Sequence, residues 1–181
     1  MQSALSQSSA VAGPGARAAG GTEQTAQFIT FTIGAEEYGI DIMVVREIKG
    51  WAETTPIPKA PQHMRGVINL RGVIVPIFDL RARFGMGLTE ASRMHVVIIV
   101  DAGARTVGLL VDTVSDIIAV EPAAVRPVPD LDLAAEDNLL QGLVPLDDRM
   151  VTLVSLDGLF RNTAAVEAAT AAAAATASLA A

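Results

Sequence analysis

His63 and His95 are the only histidines of the chain, and so the only side chains whose ordinary pKa suits proton transfer near neutral pH. They stand at unrelated positions, and each reads more simply as a turn or strand-edge residue than as a base. Ser115-Asp116 and Ser155-Leu156-Asp157 place a hydroxyl near a carboxylate, but no Gly-x-Ser-x-Gly elbow surrounds either serine. Gly85-Met86-Gly87 lacks the third glycine and the strand-to-helix setting that aim backbone N–H groups at a phosphate. Asp130-x-Asp132 and Asp147-Asp148 resemble calcium loops only in being acidic, and hairpin turns use aspartate without any ion. With zero cysteines there is no disulfide and no thiolate metal site. The chain is therefore expected to be no enzyme, to use no cofactor and no metal, and to act through its surface.

Charge and hydropathy narrow the partners of that surface. A net charge of -7 and a pI near 4.7 repel phosphate backbones, and an aromatic content of 4% offers few platforms for stacked bases, so nucleic acid is not expected. A hydrophobic fraction of 51% and a mean hydropathy of +0.43 raise the question of a membrane segment. The longest apolar runs, such as Val96 to Val100 and Gly72 to Phe78, fall far short of the roughly 18 to 20 residues that cross a bilayer. They read as buried strands. Residues 1 to 26 have neither a basic leader nor a continuous apolar run, so a cytoplasmic protein without direct membrane insertion is expected.

The elements that position these residues are short strands. Residues 1 to 26 are Ser, Ala, Gly and Gln with few large apolar groups and read as a disordered leader; residues 162 to 181 form an Ala-rich tail, a frayed helix or a disordered end. Between them Ile29, Phe31 and Ile33 alternate with Thr30 and Thr32, Gly34 to Glu37 breaks the run, and Tyr38, Ile40 and Ile42 resume it. Period two about a glycine-containing turn is a hairpin. Further strands are expected over Met43 to Ile48, Val67 to Leu70 and Val73 to Phe78. Helix is confined to single turns near Pro61 to Arg65 and Leu80 to Phe84.

An internal repeat organises the strands. Phe28 to Ile48 lies over Val97 to Ile117 without a gap, pairing Gly34 with Gly103, Gly39 with Gly108, Val45 with Val114 and Ile48 with Ile117. Pro56-Ile57-Pro58 matches Pro127-Val128-Pro129, and Gly66 to Phe84 lies over Gly142 to Phe160, pairing Leu70 with Leu146. Shared glycines and a Pro-x-Pro in one order are hard to obtain by chance. The expected fold is all-β: two tandem five-stranded barrels, over about 28 to 84 and 97 to 160, within a domain of residues 27 to 161. Closure protects strand edges, and units this small gain from a shared core, which leaves an exchange of strands between them open.

Two segments go beyond generic β sequence. They are Glu37 to Ile42 leading into Val45-Arg46-Glu47-Ile48, and Arg65-Gly66-Val67-Ile68-Asn69-Leu70-Arg71-Gly72-Val73-Ile74-Val75-Pro76-Ile77-Phe78-Asp79-Leu80-Arg81. With Gly108 to Ile117, Arg126-Pro127 and Asp148-Arg149-Met150, they resemble the CheW-like coupling proteins of bacterial chemotaxis over roughly Gln27 to Phe160. The resemblance implies SH3-like barrels and a non-catalytic adaptor joining chemoreceptor signalling tips to the regulatory domain of a histidine kinase, recruited to receptor arrays. It implies a receptor-facing set of Val45, Glu47, Ile48, Gly66, Asn69, Leu70 and Arg71, and a kinase-facing set of Val96, Gly108, Val114 and Ile117. A rival reading is a two-barrel module binding a small ligand or oligosaccharide, which would need an aromatic-lined cleft from Trp51 and Tyr38.

Overall fold

The computed structural model describes residues 25–129 and 138–161, with positions 171 and 175. The expected leader, most of the acidic loop after Pro129 and nearly all of the Ala-rich tail lie outside the described residues.

Among the described residues, ten strands and two short α-helices follow in order: β1 Ala26–Ile33, β2 Glu36–Asp41, β3 Val45–Gly50, β4 Met64–Leu70, β5 Val73–Asp79, α1 Leu80–Arg83, β6 Val96–Ala102, β7 Arg105–Val111, β8 Thr113–Val120, β9 Leu140–Leu146, β10 Arg149–Val154 and α2 Leu156–Phe160, with single 3-10 turns at Ile42–Val44 and Pro122–Ala124. The fold is all-β, as the alternation predicts. Each helix starts where a side chain can cap it. Asp79 accepts from the Ala82 N–H before α1, and Ser155 accepts from the Gly158 N–H before α2, at matching places in the repeat. The helical turn expected at Pro61 to Arg65 is instead a reverse turn, with Met64 N donating to Pro61 O at 2.9 Å. Met64 already pairs with Phe78, and that strand bond ends any helix there.

The strands form two five-stranded sheets, β8-β1-β2-β10-β9 and β3-β6-β7-β5-β4. Neither sheet is built from one repeat. Repeat one gives β1 and β2 to the first sheet and β3 to β5 to the second, while repeat two gives β6 and β7 to the second and β8 to β10 to the first. The registers obey the same exchange. Ile48 pairs with Ile98 across β3 and β6, and their counterparts Ile117 and Ile29 pair across β8 and β1. Parallel pairing of Ile77 with Gly108 in one sheet is matched by Leu153 with Gly39 in the other.

Alternation divides the apolar residues among three clusters. Phe28, Ile118, Val120, Val144, Val151 and Leu153 fill the inside of the first sheet, and Val75, Ile77, Val97, Ile99 and Leu110 fill that of the second. The largest cluster, including Ile29, Phe31, Ile40, Phe78, Ile98, Val100 and Leu109, contains residues of both sheets. Val96 to Val100 is a continuous apolar run because Val97 and Ile99 serve one cluster and Ile98 and Val100 another. No described helix is long and apolar enough to cross a membrane.

Candidate partner-docking surface

The turn Leu70-Arg71-Gly72-Val73 joins β4 to β5 with Leu70 and Val73 paired and two residues between them. Arg71 and Gly72 both have positive φ, 52° and 87°, the backbone that lets a two-residue turn follow the natural twist of a hairpin. Asn69 fixes this turn by accepting the Gly72 N–H at Oδ1, 2.7 Å away. Arg71 is held 78% exposed at the tip, and its Nη2 meets Glu47 Oε2 at 3.1 Å. Since β3 and β4 are opposite edges of the second sheet, this ion pair shows that the sheet curls until its edges face each other.

Glu47 owes its position to a local irregularity. The β3–β6 register shifts between Val45 and Glu47, freeing Arg46 from the ladder to pair with Asp101 at 2.5 Å. The two ion pairs rim a groove of about 500 Å³ lined by Arg46, Glu47, Leu70, Arg71, Val73, Val75, Ile99 and Thr106. It has an apolar floor of Leu70, Val73, Val75 and Ile99 and a rim of alternating charge.

Of the receptor-facing set, the groove collects Glu47, Leu70 and Arg71. Ile48 is 44% exposed on the same strand, and Val45 is half-buried against the central cluster. Asn69 works by shaping the turn. Gly66 is buried at φ 131°, where an added Cβ would lie 2.3 Å from Thr55 O; it admits the Thr55–Val67 bridge across the edge of β4. Sequence reasoning missed Arg46 and Val73 as groove residues. Val73 is 55% exposed at the start of a strand buried further along, which its place in a continuous apolar run gave no sign of.

The kinase-facing set is dispersed. Val96 and Gly108 belong to the second sheet, Val114 and Ile117 to the first. Val96 and Val114 pack partly against the central cluster, and Ile117 is 51% exposed. Gly108 is buried, and a Cβ there would meet Ile77 Cδ1 at 2.3 Å, so this glycine serves packing and offers a partner no side chain.

Both histidines, Asp79 and Asp112 are used internally. His63 stacks on Phe78 with centroids 6.0 Å apart, and burial first, then Arg83, pushes its pKa down. His95 Nδ1 accepts from the Ser92 N–H at 3.1 Å, closing a turn. Asp112 accepts from Gly34 N at 2.7 Å and from Arg81 Nη2 at 2.5 Å. Burial opposes its ionisation, but these donors outweigh it and hold the carboxyl below its usual range. Asp79 is fully buried and accepts from Thr89 N and Thr89 Oγ1, each at 2.7 Å. Tyr38 is buried between Phe31 and Phe84, whereas Trp51 lies under Arg65, so the two do not form the aromatic cleft that a sugar-binding module requires.

Comparison with known proteins agrees with this geometry. A family model described as CheW-like domain matches residues 27–164. The chain is 44% identical over 134 residues to a chemotaxis protein CheW of Rhizobium meliloti (strain 1021), covering 74% of this chain and 86% of that one. It is 43% identical over 136 residues to that of Klebsiella aerogenes, covering 75% and 82%. The crystal structure of scaffolding protein TtCheW from Thermoanaerobacter tengcongensis superposes with a TM-score of 0.70 at 33% identity, over 77% of this chain and 95% of that one. The chain, with its exchanged sheets and its ion-pair-rimmed groove, belongs to the CheW-like domain family.

Proposed function

We propose that this protein is a non-catalytic adaptor of chemotaxis signalling that couples chemoreceptor signalling tips to the regulatory domain of a histidine kinase. The observation that carries the reading is the groove rimmed by Glu47–Arg71 and Arg46–Asp101, in a chain of this family whose histidines, Asp79 and Asp112 are committed to internal contacts. Glu47, Ile48, Leu70 and Arg71 meet the receptor tip by direct contact, while Val45, Gly66 and Asn69 set the strand and turn that present them. Ile117 meets the kinase domain, with Val96, Gly108 and Val114 supporting the strands around it. The protein works in the cytoplasm and joins membrane-associated receptor arrays through these contacts, with no insertion of its own. Individually weak contacts suffice there, because an array makes each later contact effectively intramolecular.

Co-sedimentation of the purified chain with receptor signalling tips and kinase tests the proposal. The expected result is a pelleted complex containing all three proteins. A chain that stays in the supernatant with either partner alone and with both together overturns it.

A further inference from the structure

The repeat places two equivalent seams on the molecule, and their charges differ. We propose that the second seam docks a partner surface presenting an arginine or lysine beside an apolar patch. This deepens the kinase-facing assignment above and rests on it.

Laying Val97 over Phe28 puts Asp116 where Glu47 stands, and laying Gly142 over Gly66 puts Asp147 where Arg71 stands. The backbone agrees at both places. The β1–β8 register shifts between Ile29 and Phe31, opposite Ile117 and Val114, as the β3–β6 register does between Val45 and Glu47. Asp147 has φ 47° and Arg71 has φ 52°. In the first seam a guanidinium meets a carboxylate at 3.1 Å and straps two sheet edges together. Its counterpart has exposed carboxylates at both positions, so an ion pair of that kind cannot form there.

Among the described residues, no neighbouring cation of the turn makes up the difference. Arg149, two residues beyond Asp147, is held by both oxygens of Glu37 at 3.1 and 3.2 Å. Asp116 Oδ1 accepts only locally, from Ile117 N at 2.7 Å. Beside these charges Ile117 and Met150 are each 51% exposed. Apolar side chains next to unpaired carboxylates match an interface whose opposite side supplies a cation, and the first seam shows that this backbone accommodates a guanidinium at that point. Long-range attraction by the carboxylates would make association salt-dependent.

The test is a titration of the full chain with the kinase regulatory domain and, separately, with the receptor tip, at low and high salt. Asp116→Asn combined with Asp147→Asn is expected to weaken kinase-domain binding at least tenfold at low salt, flatten its salt dependence and leave receptor-tip binding within twofold. Asn suits the positive φ of Asp147, so the thermal midpoint should not fall. Asp147→Arg is expected to pair with Asp116 as Arg71 pairs with Glu47, leaving the midpoint close to that of the unaltered chain, as an exposed pair does, while abolishing kinase-domain binding. A change under threefold in the double variant, or a folded Asp147→Arg protein that still binds the kinase domain, overturns the inference alone. Failure of the unaltered chain to bind the kinase domain overturns the functional reading and the inference with it.

Discussion

At the scale of single residues, Arg71 separates function from stability. Its ion pair with Glu47 is highly exposed on the Arg71 side, and such a pair contributes about 0 to 1 kcal/mol to folding. If the pair becomes buried against a partner, truncating one member costs roughly 2 to 5 kcal/mol of association. Arg71→Ala is therefore expected to weaken receptor-tip association by more than tenfold with little change in the unfolding midpoint. A titration showing less than a threefold change in a folded variant would refute the assignment. Asp112 makes the opposite kind of prediction. Its carboxyl is held below the ordinary value in the folded state, so its contribution is present above the unfolded pKa of 3.8 and lost as pH falls through the depressed folded value. Below about pH 4 the unaltered chain should lose stability more steeply than Asp112→Asn, as read from urea unfolding midpoints across that range.

Among the elements, what sequence could and could not convey has a physical cause. The hairpin of β1 and β2 was readable because its two faces meet different surroundings, and Leu80 to Phe84 was readable as a helical turn beside the capping Asp79. At Pro61 to Arg65 the same local reasoning failed, since pairing of Met64 with Phe78 comes from a strand distant in sequence. The repeat identified which residues are equivalent but not which copy each strand joins, because β3 alternates equally well against β1 or β6. Gly108 shows the same limit within the candidate site. A resemblance assigned it to a partner surface, while its environment of Ile77 and Val97 makes it a packing residue of two parallel strands. Substituting Gly108→Ala forces a Cβ to 2.3 Å from Ile77 and 2.9 Å from Val97, whereas at the equivalent Gly39 the closest approach is 3.0 Å. Gly108→Ala should thus cost about 1 to 3 kcal/mol, as overpacked cores do, and Gly39→Ala less. Equal midpoints for the two variants in denaturant titrations would contradict this account of the parallel seams.

For the whole molecule, the exchange of strands determines how the two surfaces are held. Twice the chain leaves one sheet for the other, between β2 and β3 and between β7 and β8, and the central cluster contains residues of both sheets. The ion-pair-rimmed groove on one sheet and the acidic seam on the other are thereby parts of one rigid body. Repeat one alone, residues 25–94, would keep β1 and β2 but lose β8, whose Ile118 and Val120 cover Phe28. It would keep β3 to β5 but lose β6 and β7, whose Val97, Ile99 and Leu110 complete the core of the second sheet. A unit of that size has little apolar surface to spare. The fragment is therefore expected to show no cooperative thermal unfolding as a monomer, and repeat two, residues 95–161, to behave likewise. Mixed in equal amounts, the fragments should regain a single cooperative transition by circular dichroism, because each supplies the strands that the other lacks. A monomeric repeat that folds and melts cooperatively alone would mean that the exchange is dispensable, and the coupling surfaces would then stand on two separable units rather than on one.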